Sequence, residues 1–249
     1  AFWMIWDERI REDAPPVFRW SDEQLDEAIA AARAAFPAWS ALDLNERRAR
    51  LVAFAEAILA QTAPLARLLT QEQGKPLHEA EREVMGCAGW LKGGCALDLP
   101  EEVNEDNEPR LSVTQRVPLG VVGAIVPWNF PLLLAMFKIG PALVTGNTMV
   151  LKPSPFTPLT TLRMAELSRG ILPDGVLNVL PSTHAKEMSQ ALQGDDRLRK
   201  VSFTGSTGVG RTLVRQSADQ LQRVSMELGG NAPFLVFADA DLDAAVDGA

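Results

Sequence analysis

The sequence predicts an α/β fold around a parallel sheet, and three observations carry that prediction. From Gly120 onward, short apolar runs of strand type alternate with segments of helical period. Turn residues bound the runs, which is the pattern of βαβ units. Ahead of them, residues 21–97 read as helices alone. Sheets of this kind bind ligands beyond the carboxyl ends of their strands, so function is sought in the residues just past each strand.

The elements come in order. Residues 1–20 show no clear period. "SDEQLDEAIAAARAAF" opens on a capping-box pattern, Ser21 with Gln24, and puts Leu25, Ile29, Ala32 and Phe36 on one stripe. Helical segments succeed it at about 45–60, 63–73 and 77–92, with Gly74 and Pro76 marking the second gap. "DLPEEVNEDNEP" (98–109) reads as an acidic loop. "RLSVTQRV" (110–117) alternates at period two, as a half-exposed strand does. Strands are then expected at 120–126, 147–152, 175–180, 200–205, 223–228 and 233–237, and helices at 132–144, 158–169, 184–192 and 207–217. The closing "DADLDAAVDGA" is helical in pattern.

Composition narrows the classes. The chain has 249 residues, 47% hydrophobic and 22% charged, with ample material for a sizeable core. A net charge of −8 disfavours nucleic acid and anionic membrane as partners. Cys87 and Cys95 form no disulfide framework and no CxxC, and are expected as buried thiols under a helix. With His78 and His184 the only histidines, no zinc site of familiar spacing is expected, and no GxSxG elbow is present. No apolar run reaches the ~18 residues of a membrane-spanning helix. "AFWMIW" is too short for a signal core and is followed by acids. The cytoplasm is the expected location.

Four strand ends carry chemistry-bearing residues. After 120–126 comes "PWNFP", where the amide of Asn129 could donate to a developing oxyanion or only close an Asx turn. After 147–152 comes "KPSPFTP", where Lys152 could reach a ligand hydroxyl or phosphate, or simply be solvated. Next is "TGSTGVG", entering a helix. Gly205, Gly208 and Gly210 allow close backbone approach, and Ser206 and Thr207 lie at a helix N-terminus that favours anions. Its GxxGxG spacing is neither the dinucleotide fingerprint GxGxxG nor a Walker loop. Last, Glu227 sits in "RVSMELGGNAPFLVF". A carboxylate in an apolar strand is either a general base in a cleft or a buried partner of a lysine.

The order of these signals, "PWNFP", "LKPS", "FTGSTGVG" and "MELGG", with "AARAAFPAWS" and "QEQGKP" ahead of them, resembles the NAD(P)-dependent aldehyde dehydrogenase family from about Ser21 to the end. The resemblance implies a doubly wound, Rossmann-like parallel sheet preceded by helices. It divides residues 1–249, as a cofactor-binding domain, into a helical part 21–97, an oligomerisation-type loop and strand 98–119, and a parallel α/β region 120–249. It implies that Asn129 is the oxyanion-hole amide, Glu227 the base that activates the deacylating water, and Lys138 part of a proton relay. Lys152 would hold the adenine-side ribose, and Gly205 and Ser206 the pyrophosphate, with Val209 packing near. Val126, Pro127, Trp128, Ser154, Pro155, Leu228 and Gly229 would complete the cofactor cleft. Phe130, Leu133, Leu134 and Phe137 would line the aldehyde tunnel.

Two departures from the family pattern qualify these implications. Pro155 stands where the family often has a ribose-chelating glutamate, so NADP joins NAD as an expected cofactor, with NAD slightly ahead. No cysteine comes after Glu227, whereas the family nucleophile lies well downstream of that glutamate. The expectation is therefore a fragment without its catalytic domain. Its parent would be a homodimer or homotetramer that oxidises a small aldehyde to a carboxylic acid through a cysteine thioester. The other reading is a non-catalytic nucleotide-binding or interaction protein on the same scaffold.

Overall fold

A computed structural model describes residues 21–249, so the readings made on residues 1–20 lie outside the described residues. Four helices come first: α1 (Asp22–Ala41), α2 (Leu44–Ala60), α3 (Thr62–Gln73) and α4 (Leu77–Cys95). The capping box at Ser21 forms in both directions, and Asp43 with Glu46 builds a second one ahead of α2. Gly74, in the left-handed region at φ 84°, ends α3 and lets Lys75 and Pro76 turn the chain into α4.

A small antiparallel pair comes next, β1 (Glu102–Asn107) with β2 (Arg110–Thr114). The acidic stretch expected as loop thus holds a strand. The hairpin is exposed on both faces, so neither strand needs an apolar alternation, and charges such as Glu102 and Glu105 stay in water and pair with Arg116 and Arg110. Val103, Leu111 and Val117 are exposed along and beside it.

The rest is β3 (Val121–Ile125), α5 (Pro131–Val144), β4 (Thr148–Lys152), α6 (Pro158–Glu166), β5 (Leu177–Val179), α7 (Ala185–Gly194), β6 (Leu198–Gly205), α8 (Thr207–Ser217), β7 (Arg223–Leu228) and α9 (Leu242–Gly248). The five strands lie in the order β5-β4-β3-β6-β7, every pair parallel. The chain runs outward from β3 through β4 to β5, then returns to the other side of β3. The crevice between the β3 and β6 ends is the topological switch point, where doubly wound sheets hold ligands.

Each face of the sheet has its own core. Val122, Ala124, Met149 and Leu151 pack with α2 to α6, including Phe54, Leu91, Met136 and Met164. Val121, Ile125, Val150, Val201 and Phe203 pack with Leu25, Ile29 and Ala32 of α1, Met188 and Leu192 of α7 and Leu213 of α8. Long-range polar contacts fix α1: Trp39 Nε1 donates to the Leu143 carbonyl (3.1 Å) and Thr148 Oγ1 to the Ala32 carbonyl (2.8 Å).

The strand expected at 233–237 is absent. Gly229, Gly230 and the left-handed Ala232 (φ 43°) lead the chain away from β7, and the run finds no ladder partner among the described residues. Its side chains are exposed, Leu235 at 74% and Phe237 at 71%. Among the described residues no single helix is long and apolar enough to cross a membrane.

Candidate active site

The loop after β3 is fixed by its prolines. Val126 is buried, and its N–H donates to the Lys152 carbonyl (3.2 Å), extending the β3–β4 ladder. Pro127 is half-buried and Trp128 exposed, and Pro131 takes the first position of α5, where a missing N–H costs nothing. Between them Asn129 is exposed, and its side-chain amide has no hydrogen-bond partner among the described residues. The Asx-turn alternative is therefore not what forms.

Lys152 ends β4 only 3% exposed. Its Nζ reaches one acceptor, the Pro153 carbonyl, at 3.4 Å. Burial without a counter-charge pushes its pKa down to about 8. The solvated-lysine alternative fails on the same facts. Ser154 is buried too, but its Oγ accepts from the Phe156 N–H (3.2 Å), so it closes the turn. Pro155 is half-buried beside it.

After β6, Ser206 caps α8, its Oγ accepting from the Val209 N–H (3.4 Å). The N–H groups of Thr207 and Gly208 belong to the same first turn, which supplies no intrahelical acceptor for them, just past the carboxyl end of β6. Not all the loop's glycines serve a ligand. A Cβ on Gly205 would sit 2.4 Å from the Phe203 ring, and one on Gly210 2.5 Å from Leu228 Cδ2, whereas Gly208 faces open space. Packing within the strand-helix unit requires the first two.

For Glu227 the buried-partner alternative is not what forms: β7 lies at the sheet edge, where Glu227 is exposed and makes no ion pair among the described residues. Leu228 and Gly229 are exposed as well. The buried Lys138 of α5 feels its charge: burial lowers the Lys138 pKa, Glu227 opposes that shift, and Lys200 adds to it. The two groups share one neighbourhood without a salt bridge.

Phe130, Leu133, Leu134 and Phe137 form one stripe at the start of α5. The Phe137 ring lies 4.2 Å, centroid to centroid, from Trp90 of α4. Cys87 is fully buried, its thiol pushed well up by burial and by the charge of Glu83; Cys95 is raised by burial. A nucleophile needs an accessible thiolate, so neither cysteine supplies one.

A family model described as the aldehyde dehydrogenase family matches residues 16–249. The chain belongs to the aldehyde dehydrogenase family. It is 45% identical over 226 residues to a glutarate-semialdehyde dehydrogenase of Pseudomonas putida, covering 89% of this chain and 47% of that protein. It is 44% identical over 228 residues to the NADP(+) succinate-semialdehyde dehydrogenase of Escherichia coli, again 89% and 47%. Among solved structures, an E. coli NADP-dependent enzyme superposes with a TM-score of 0.88 at 41% identity, and PnpE in complex with nicotinamide adenine dinucleotide with 0.88 at 40%. Each comparison covers 92% of this chain and 48% of the other. The chain thus spans about half the length of the aldehyde dehydrogenases it matches.

A dinucleotide fits the residues present, because Lys152, a buried cation at the carboxyl end of β4 with no counter-charge among the described residues, lacks the hydroxyl acceptors that a ribose would bring. Four residues beside these strand ends were not singled out from the sequence. Trp90 backs the α5 stripe, and Gln73, Lys75 and Glu83 contact the 128–133 segment. "QEQGKP" was visible as a motif, but nothing local shows that it reaches a loop more than 50 residues away.

Proposed function

We propose that this chain is the cofactor-binding half of an NAD(P)-dependent aldehyde dehydrogenase, whose nucleophilic cysteine is supplied from outside these residues. One observation carries the reading: Asn129, Lys152 and Glu227 stand at or just past the carboxyl ends of β3, β4 and β7, and none of them has a counter-charge or more than one long hydrogen bond to its polar end among the described residues. When bound, the nicotinamide cofactor supplies the hydride acceptor. Lys152 binds the adenine-side ribose. Gly205, Ser206 and the first amides of α8 meet the pyrophosphate, with Val209, Leu228 and Gly229 beside it. Val126, Pro127 and Trp128 line the cleft, with Ser154 and Pro155 below. No carboxylate at Pro155 opposes a 2′-phosphate, so NAD and NADP both enter.

Asn129 donates to the oxyanion of the thiol adduct as a neutral amide, giving up no proton. After oxidation a thioester remains. Glu227 takes a proton from water, the water oxygen adds to the thioester carbon, and the thiolate leaves as the acid forms. Lys138, buried and depressed, passes that proton on toward solvent.

The substrate class is set by the wall. Phe130, Leu133, Leu134, Phe137 and Trp90 are apolar, and the cation beside Phe130, Lys75, is already paired with Glu83. A second carboxylate, as the relatives' semialdehydes carry, would meet no free cation on this wall among the described residues and lose several kcal/mol of hydration. We read the substrate as an aldehyde with an apolar or aromatic substituent. The cytoplasm as setting and assembly into two or four copies through the exposed hairpin belong to the same reading.

Calorimetric titration of this chain with NAD and NADP tests the cofactor half. Both are expected to bind, and Lys152→Met to weaken both. No heat from a folded protein would sink the reading. In the enzyme completed by its remaining half, kcat/KM is expected to favour benzaldehyde or hexanal over succinate semialdehyde; the reverse order overturns the substrate class.

A further inference from the structure

We propose that Gln73, Lys75 and Glu83 are positioning residues that clamp the backbone around Asn129 and so aim its side-chain amide. The inference rests on the oxyanion reading of Asn129. Gln73 Nε2 donates to the carbonyls of Trp128 and Asn129, each at 2.7 Å. Lys75 Nζ donates to the same Asn129 carbonyl at 3.0 Å, pairs with Glu83, and lies 3.7 Å over the Phe130 ring. Both lone pairs of the Asn129 carbonyl are thereby used. Glu83, its side chain fully buried, accepts through Oε1 from the N–H groups of Leu132 (2.9 Å) and Leu133 (3.1 Å).

The six-residue stretch from Trp128 to Leu133 is thus held at both ends by residues at or near the α3–α4 turn. Glu83 alone has a sufficient structural explanation, since α5 has no side-chain cap of its own. Gln73 and Lys75 do not. Their acceptors precede the helix and contribute nothing to capping it. What they fix is the peptide plane just past the Asn129 side chain. That side chain has no partner among the described residues, so its aim is set by the backbone and its own two torsions. Lys75 also ties the first tunnel residue, Phe130, to the same point.

The test uses the full-length enzyme carrying this chain. Gln73→Leu leaves the Lys75–Glu83 pair intact and is the variant expected to fold in any case; Lys75→Met and Lys75→Arg accompany it, with Asn129→Ala as reference. Asn129→Ala is expected to lower kcat by on the order of 10²–10³. Gln73→Leu and Lys75→Met are expected to lower kcat by about 10- to 100-fold with aldehyde KM within about threefold, because a misplaced donor costs the step and not binding. A primary deuterium isotope effect on kcat with the C1-deuterated aldehyde is expected to emerge. Lys75→Arg restores part of the loss. Gln73→Leu added to Asn129→Ala is expected to lower kcat no further. Normal kcat in Gln73→Leu, or losses that multiply in the double variant, overturns the clamp while the oxyanion reading stands. Normal kcat in Asn129→Ala overturns the oxyanion reading itself.

Discussion

Lys152 is stored at a cost. Its ammonium is buried with one long contact, and its pKa falls to about 8. Between that value and the ordinary 10.5 the unfolded chain holds a proton that the folded chain has shed. Stability therefore rises as pH climbs through that window, and near neutrality the buried charge lowers stability by about 3 kcal/mol. Lys152→Met is expected to raise the urea midpoint at pH 7, with the gain shrinking toward pH 10, while dinucleotide binding weakens. A variant less stable than wild type at pH 7 contradicts this. Glu227→Gln belongs to the same scale. In the full-length enzyme a burst of NADH is expected, then a stall, because hydride transfer precedes the water step; normal steady turnover removes the general-base role. The sequence displayed both residues, since residue type at a strand end is local information. It left two readings open for Glu227, because whether that carboxylate is buried depends on which strand lies at the sheet edge, and strand order is not local.

Helices were legible for the same reason. Capping boxes, Gly74 and apolar stripes are written within a few residues, and α1 to α8 begin and end near their expected positions. The α6 start is different. Thr157 offers no side-chain cap, and Glu72 of α3 serves instead, accepting from the N–H of Leu159 (2.5 Å) and from the N–H (3.1 Å) and hydroxyl (2.6 Å) of Thr160. That carboxylate is 88 residues from Thr160. Glu72→Ala leaves two helix amides without a partner and is expected to cost roughly 1–3 kcal/mol in a denaturant melt. Less than about 0.5 kcal/mol shows that water replaces the cap. The hairpin strand β1 and the missing strand at 233–237 fail in opposite directions. One pairs without an apolar face; the other has apolar residues and no partner. Composition reports hydrophobicity, and a strand also needs a neighbour.

At the scale of the molecule the sheet divides two cores, and the two differ in how far along the chain they reach. The α2–α4 side begins with helices close in sequence. The α1 side joins residues 25–32 to strands and helices as late as Leu213. Trypsin is therefore expected to cut stalled nascent chains at Arg33 while only about 150 residues have emerged, and to spare it once β6 and α8 are out. Protection at the shorter length contradicts the two-core order. Ala32 and Thr148, bonded in the finished fold, are 116 residues apart. At ~5–20 residues per second, α1 waits roughly 6–23 s for that strand to be made. For that interval Leu25, Ala28, Ile29 and Ala32 have no sheet to cover them, and a ribosome-associated chaperone is the first surface they are expected to meet.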